Sequence, residues 1–228
     1  MVIGKKRESH RISESFNVKR LRNLADLENA AQELCFVDPR FLAIIEKHGV
    51  PSLRSSPQGL EGLLMIVTEQ FLSLQAAAAI WARVRNRLKV FDAQNVLSIS
   101  PEELLSLGLS RAKTRTFHEA ARHELDGTLD FASFEALDEK AIAIQLCKLT
   151  GVGPWTSDIF LLSVLGACDA WPAGDLALRV SIQNFLKLNS VPEINQMAAL
   201  AQNWRPYRAV AARLLWSHYR DLKGLQQA

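Results

Sequence analysis

The sequence predicts an all-α protein. Apolar residues recur at helical spacing through most of its 228 residues, and no stretch sustains the period-two alternation of β-branched residues that marks a strand. Ser, Asp and Pro stand repeatedly just ahead of these runs and Gly just behind them, where helix starts and stops need them. No repeat of solenoid type is evident.

Taken in order, residues 1–17 are polar, mixed in charge and without period, and read as a mobile tail. Leu21, Leu24, Leu27, Ala31 and Leu34 keep helical spacing up to Phe36. Asp38-Pro39 has the form of an N-cap with a first-turn proline, opening a helix that ends near Gly49. Val50 to Gly59 is loop. Leu60–Leu72 is an apolar helix, and the alanine-rich run Gln75–Val90 predicts a helix packed closely on its neighbours. Ser100-Pro101-Glu102-Glu103 is a capping box for a short helix that stops at Gly108. Ser110 caps Arg111–Leu125, closed by Gly127, and Asp138 caps Glu139–Lys148. Helices follow over Pro154–Leu165, from Leu176, around Glu193–Asn203 and over Pro206–Leu222.

Composition narrows the function. Apolar residues make up 48%, enough for a sizeable core, and a net charge of +3 is far from that of a polycationic nucleic-acid coat. Such a small excess suits a grip on a few phosphates and is equally compatible with no nucleic-acid role. Cys35, Cys147 and Cys168 are scattered, without the four-cysteine set of a zinc site or iron–sulfur cluster, and point to a reducing compartment. No apolar run is long enough to span a membrane, and no secretion signal is seen. Lys5-Lys6-Arg7 is too short for a nuclear signal. An intracellular protein is expected, cytoplasmic in a bacterium and nuclear in a eukaryote.

The most informative stretch is Leu149-Thr150-Gly151-Val152-Gly153-Pro154-Trp155-Thr156, a tight turn between two helical runs. Its glycines admit a close backbone approach, and Pro154 opens the second helix without losing a needed hydrogen bond. Free amides at such a helix start bind anions, commonly phosphate. An ordinary glycine-capped helix turn has the same local appearance. Asp175 follows Gly151 by 24 positions, in Trp171-Pro172-Ala173-Gly174-Asp175-Leu176.

This combination resembles the helix-hairpin-helix (HhH-GPD) DNA glycosylases, and within them the 3-methyladenine DNA glycosylase II (AlkA-like) branch. The resemblance covers about residues 58–220 and includes Gln70-Phe71-Leu72-Ser73 ahead of the alanine-rich helix with Trp81, Leu107-Gly108-Leu109-Ser110-Arg111-Ala112-Lys113, and Trp204-Arg205-Pro206-Tyr207-Arg208 leading to Trp216. It implies two helical lobes flanking a DNA-binding cleft: residues about 18–57 plus 167–228 in one, about 58–166 in the other. A β-rich N-terminal domain found in some members is expected to be absent.

By the same resemblance, Asp175 is the catalytic carboxylate, Trp155 and Trp216 line the base pocket, and Trp171 is a further candidate from its nearness to Asp175 in sequence. Gln70, Phe71 and Ser73 would meet DNA, Phe71 filling the gap left by the extruded nucleotide; Gly151, Val152, Gly153 and Thr156 would hold a phosphate. A monovalent cation, Na+ or K+, would sit on the carbonyls of Cys147, Leu149 and Val152, with no other cofactor required. Arg111 and Lys113 read as solvated or phosphate-bound, and Asp175 as an N-cap in a purely structural account.

The chemistry is coherent. Breaking an N-glycosidic bond builds positive charge on the sugar, which one carboxylate stabilises. An alkylated purine is already cationic and leaves without a strong acid. Family members often have two adjacent acids; here Gly174 holds the first place. Trp155 stands where strand-nicking relatives carry a Schiff-base lysine, so base release without lyase activity is expected. The expected partner is double-stranded DNA with alkylated bases, met by a monomer. The alternatives are a non-catalytic helix-hairpin-helix DNA-binding module, or a glycosylase for mismatched or oxidised bases.

Overall fold

The computed structural model describes residues 20–53 and 56–224; the tail expected over residues 1–17 lies outside them. Twelve α-helices follow one another among these residues: α1 (Leu24–Val37), α2 (Phe41–His48), α3 (Gly59–Glu69), α4 (Leu74–Arg87), α5 (Ala93–Ser98), α6 (Pro101–Ser106), α7 (Arg111–Leu125), α8 (Glu139–Leu146), α9 (Pro154–Ser163), α10 (Leu176–Phe185), α11 (Ile194–Leu200) and α12 (Arg208–Leu222). Short 3₁₀ turns occupy Phe131–Glu135 and Gln202–Trp204. The single backbone bridge, Arg20 to Ala167, is no strand.

Local chemistry sets most helix starts. Asn23, Ser73, Asp92, Ser100, Ser110, Asp138 and Asp175 each accept a first-turn amide at the N-cap. α1 begins only at Leu24, where Asn23 caps it, while the Leu21 amide bonds the Gly166 carbonyl at 2.6 Å. α3 stops at Glu69 rather than Leu72, since Phe71 turns to φ +57°.

One expectation is extended and another corrected. Asp38 does cap the turn into α2: its Oδ1 accepts the Arg40 backbone amide at 3.2 Å and its carbonyl the Phe41 amide at 3.2 Å, with the regular helix beginning at Phe41. Its carboxylate also accepts the Arg40 guanidinium at 2.7 and 2.8 Å and the buried Trp204 indole at 2.9 Å. The alanine-rich α4 is not closely packed: Ala76, Ala78 and Ala79 are exposed, and only Ala77 and Val84 are buried. Its alanines serve helix propensity, not packing.

α1, α2, α10 and α12 pack on one another, and α3 packs with α4, α7 and α9, while α8 pairs with α9. One apolar core joins them, with Leu27, Phe41, Leu63, Phe117, Phe160, Ile182 and Leu214 at 5% exposure or less. α3 is set tightly into it. A Cβ on Gly62 would meet the Pro57 carbonyl oxygen at 2.1 Å and Val164 at 2.8 Å.

Gly62→Ala is therefore expected to destabilise the protein by about 1–3 kcal/mol in chemical denaturation, because a backbone carbonyl cannot swing aside. Asp38 supplies a pH-dependent counterpart. Burial pushes its carboxyl up, but the hydrogen bonds from Arg40 and Trp204 outweigh this and hold it below the usual carboxylate range. Asp38→Asn is expected to cost about 1–2 kcal/mol at neutral pH. A depressed folded value means that this difference is full above about pH 4 and fades as the pH falls through the lower folded value. Thermal melts of both proteins on stepwise acidification check it.

Candidate active site

Three helices converge on Asp175. It caps α10, its Oδ1 accepting the Leu178 amide at 2.8 Å. Oδ1 also accepts the Trp216 indole N–H from α12 at 3.1 Å, and Oδ2 accepts the Trp155 indole N–H from α9 at 3.0 Å. Capping explains the first bond and neither of the others. All three partners are N–H donors, as an ionised carboxylate requires. The nearest basic residue along α10 is turned away: Arg179 bonds the Pro192 carbonyl at 2.7 Å and Glu193 at 3.6 Å. The negative charge at Asp175 is thus held by dipoles and left without a paired cation among its bonded partners. Asp175, Trp155 and Trp216 all remain partly open to solvent.

Beside Asp175, a Cβ on Gly174 would meet only Trp155 Cβ, at an ordinary 3.6 Å. The fold does not demand glycine there; its absence of side chain leaves space next to the indole. Trp171, expected to line the same pocket, is corrected. Its ring is 6% exposed, its N–H donates to the Met197 carbonyl at 3.1 Å, and it packs edge-on against Trp204 at 5.8 Å. Trp171 is a core residue.

The hairpin turn joins α8 to α9. Gly151 is obligatory: φ is +87°, and a Cβ would meet Thr116 Oγ1 at 2.3 Å. That hydroxyl donates to the Thr150 carbonyl at 2.7 Å, and the Thr150 amide donates to Glu119 at 2.8 Å. Gly153 differs. Its Cβ would meet nothing within 4 Å, and it gives α9 no side-chain cap. The first-turn amides of α9 have no carbonyl four residues back within the helix. The glycine therefore keeps the approach to them open from outside. Val152 is buried and bonds back to the Leu149 carbonyl at 3.1 Å. Thr156 is also buried, so its hydroxyl is not a surface phosphate ligand; it accepts the Gln70 amide at 2.7 Å. The Leu149 carbonyl, which accepts the Val152 amide, keeps its second lone pair.

Between α3 and α4, Phe71 is fully exposed, at 102%, in the left-handed region at φ +57°. Such a conformation is uncommon for a bulky residue and concentrates at functional positions. Leu72 and Leu74 are also exposed. Gln70, expected to enter the groove beside Phe71, turns the other way. Its amide donates to the Gly151 carbonyl at 3.0 Å and to Thr156. Ser73 is exposed and caps α4, its hydroxyl accepting the Ala76 amide at 3.2 Å while keeping its own proton to donate.

Sequence reasoning leaves Lys113 as a solvated or phosphate-bound cation. In the structure its ammonium donates to the Thr68 and Gln70 carbonyls at 2.8 and 2.7 Å, closing the end of α3. Burial pulls it below the ordinary lysine range. Lys113, Thr116 and Glu119 thus reach both the Phe71 loop and the hairpin from α7. Their three-residue spacing is the one sequence signal that could have shown them as one face.

The chain is similar to known DNA glycosylases. The chain is 27% identical over 199 residues to the alkylbase DNA glycosidase-like protein mag2 of Schizosaccharomyces pombe, covering 84% of this chain and 93% of that one. It is 24% identical to the putative DNA-3-methyladenine glycosylase YfjP of Bacillus subtilis, covering 87% of this chain and 73% of YfjP. Among solved structures, a DNA-3-methyladenine glycosidase from Bacillus halodurans superposes with a TM-score of 0.72 at 26% identity, over 86% of this chain and 91% of that one. The family model for HhH-GPD superfamily base excision DNA repair proteins matches residues 64–206, which hold the hairpin, Asp175 and the Phe71 loop, and the chain belongs to that superfamily.

Proposed function

We propose that this protein is a monofunctional DNA glycosylase that flips alkylated purines of the 3-methyladenine type out of duplex DNA and hydrolyses the N-glycosidic bond, leaving an abasic site. The observation that carries the reading is the Asp175 carboxylate, held by N–H donors from three helices and, among the described residues, left without a salt-bridge partner.

The bonding distinguishes its two oxygens. Oδ1 accepts two donors and Oδ2 one. A carboxylate oxygen offers about two lone pairs, so Oδ2 keeps the free one. It is the atom to face C1′, stabilising the sugar cation and aligning water for attack. The cationic alkylpurine departs without a protonating acid. Trp155 and Trp216 present indoles beside it, whose stacking, worth about 1–3 kcal/mol per base, offsets the cost of extrusion. The hairpin amides anchor a phosphate, and Na+ or K+ on the carbonyls of Cys147, Leu149 and Val152 would add positive charge there. Phe71 fills the vacated stack. Phosphate contacts position without selecting sequence, so binding falls with salt and shows little sequence preference. One chain completes the constellation, and its substrate places it wherever the genome lies. No helix of the described residues is long and apolar enough to cross a membrane.

Asp175→Asn is expected to lower single-turnover release of 3-methyladenine from methylated duplex by about 10²–10³-fold while retaining DNA binding. Unchanged release would refute the assignment. Trp155→Phe and Trp216→Phe each keep a ring and lose one donor, and a drop of about tenfold is expected for each in the same assay. Asp175 bonds to indoles and to no amine. Borohydride is accordingly expected to trap no covalent adduct on gels, and a trapped adduct would show lyase chemistry instead.

A further inference from the structure

We propose that Lys113 and Gln70 are positioning residues that hold Phe71 out as a preformed wedge and lock it in register with the phosphate-gripping hairpin. The proposal rests on the DNA-binding reading above and concerns how the loop is kept ready.

Phe71 has no packing to fix it, since its side chain is wholly in solvent. Its left-handed backbone must therefore be imposed by its neighbours. Gln70 is fixed at both ends. Its carbonyl accepts the Lys113 ammonium at 2.7 Å, and its side-chain amide spans to the Gly151 carbonyl and the Thr156 hydroxyl. On the other side of Phe71, the Leu72 amide bonds the Glu69 carbonyl at 3.3 Å.

Lys113 supplies what the sequence of the turn lacks. The last carbonyls of a helix have no intrahelical donor. A glycine at the turn would ease the left-handed step, yet Phe71 stands there. The ammonium satisfies the Thr68 and Gln70 carbonyls together and brings a cation to the negative end of α3. One helical turn further along α7, Thr116 holds the Thr150 carbonyl of the hairpin. The wedge and the phosphate grip are thus bolted to one rigid helix and to each other through Gln70. A fixed offset between them lets one docking event seat both, without a loop-ordering step at the duplex.

The test uses a duplex bearing an abasic-site analogue, with 2-aminopurine beside the gap, so that no catalysis is needed. Insertion of Phe71 unstacks the probe and raises its fluorescence. The wild type is expected to give the rise, and Phe71→Ala to lose it with binding about tenfold weaker, the worth of one stacking contact. Lys113→Met is expected to bind almost as weakly as Phe71→Ala, with Lys113→Arg recovering part of the loss. In the double variant Phe71→Ala/Lys113→Met, the lysine change is expected to add nothing further. Additive losses would mean that Lys113 acts on general stability, and a full rise in Lys113→Met that it does not act at all; either overturns the proposal. If Lys113→Met does not fold, Gln70→Ala replaces it in the same cycle, with the same expected non-additivity and the same overturning results. A wild type that gives no rise overturns the wedge itself, whereas base release from methylated DNA reports separately on the glycosylase reading.

Discussion

The structure depends on a carboxylate, Asp175, that three protein N–H donors hold while it stays partly open to solvent. Asp175 takes an amide from its own helix and indole N–H groups from two others. Each donor fixes a different relationship: the first sets the acid at the start of α10, the second ties α10 to α12, the third ties both to the hairpin helix α9. The dipoles are already aimed, so in the role proposed for Asp175 no reorganisation would be needed as positive charge grows opposite it, the condition under which electrostatic stabilisation is strongest. Placing a lysine or arginine against the acid would have quenched the same field.

A second device acts at a distance from the acid. α7 touches neither Asp175 nor its indoles through any described hydrogen bond, yet its Lys113, Thr116 and Glu119 hold both loops that face outward. Gln70 links those loops directly. The carboxylate site and the two outward loops are therefore held by different helices and share α9, where Trp155 reaches the acid while Thr156, the next residue, meets Gln70.

Helix content is legible in the sequence because caps are local: Ser100, Ser110 and Asp138 each bond an amide three residues on. Long-range partners are not legible. Asp38 is readable as a cap, but its second role is not, because the partner, Trp204, lies 166 positions away. Short α5 carries too few residues to show a period, although Asp92 signals its start. The tryptophans are alike in sequence, and only the fold separates Trp171, whose N–H is spent in the core, from Trp155 and Trp216, whose N–H groups meet Asp175. Asp175 itself is readable through family resemblance, whereas Gln70 and Lys113 take their meaning from the carbonyls they reach.

The dispersal of the donors has a consequence for safety. An enzyme that cuts bases from chromosomes does harm when it fires on the wrong nucleotide. Here any breathing motion that parts α9 or α12 from α10 removes an indole from the acid. On the catalytic role proposed for Asp175, thermal openings would yield silent conformers, not sloppy ones: the protein would disarm itself whenever it loosens.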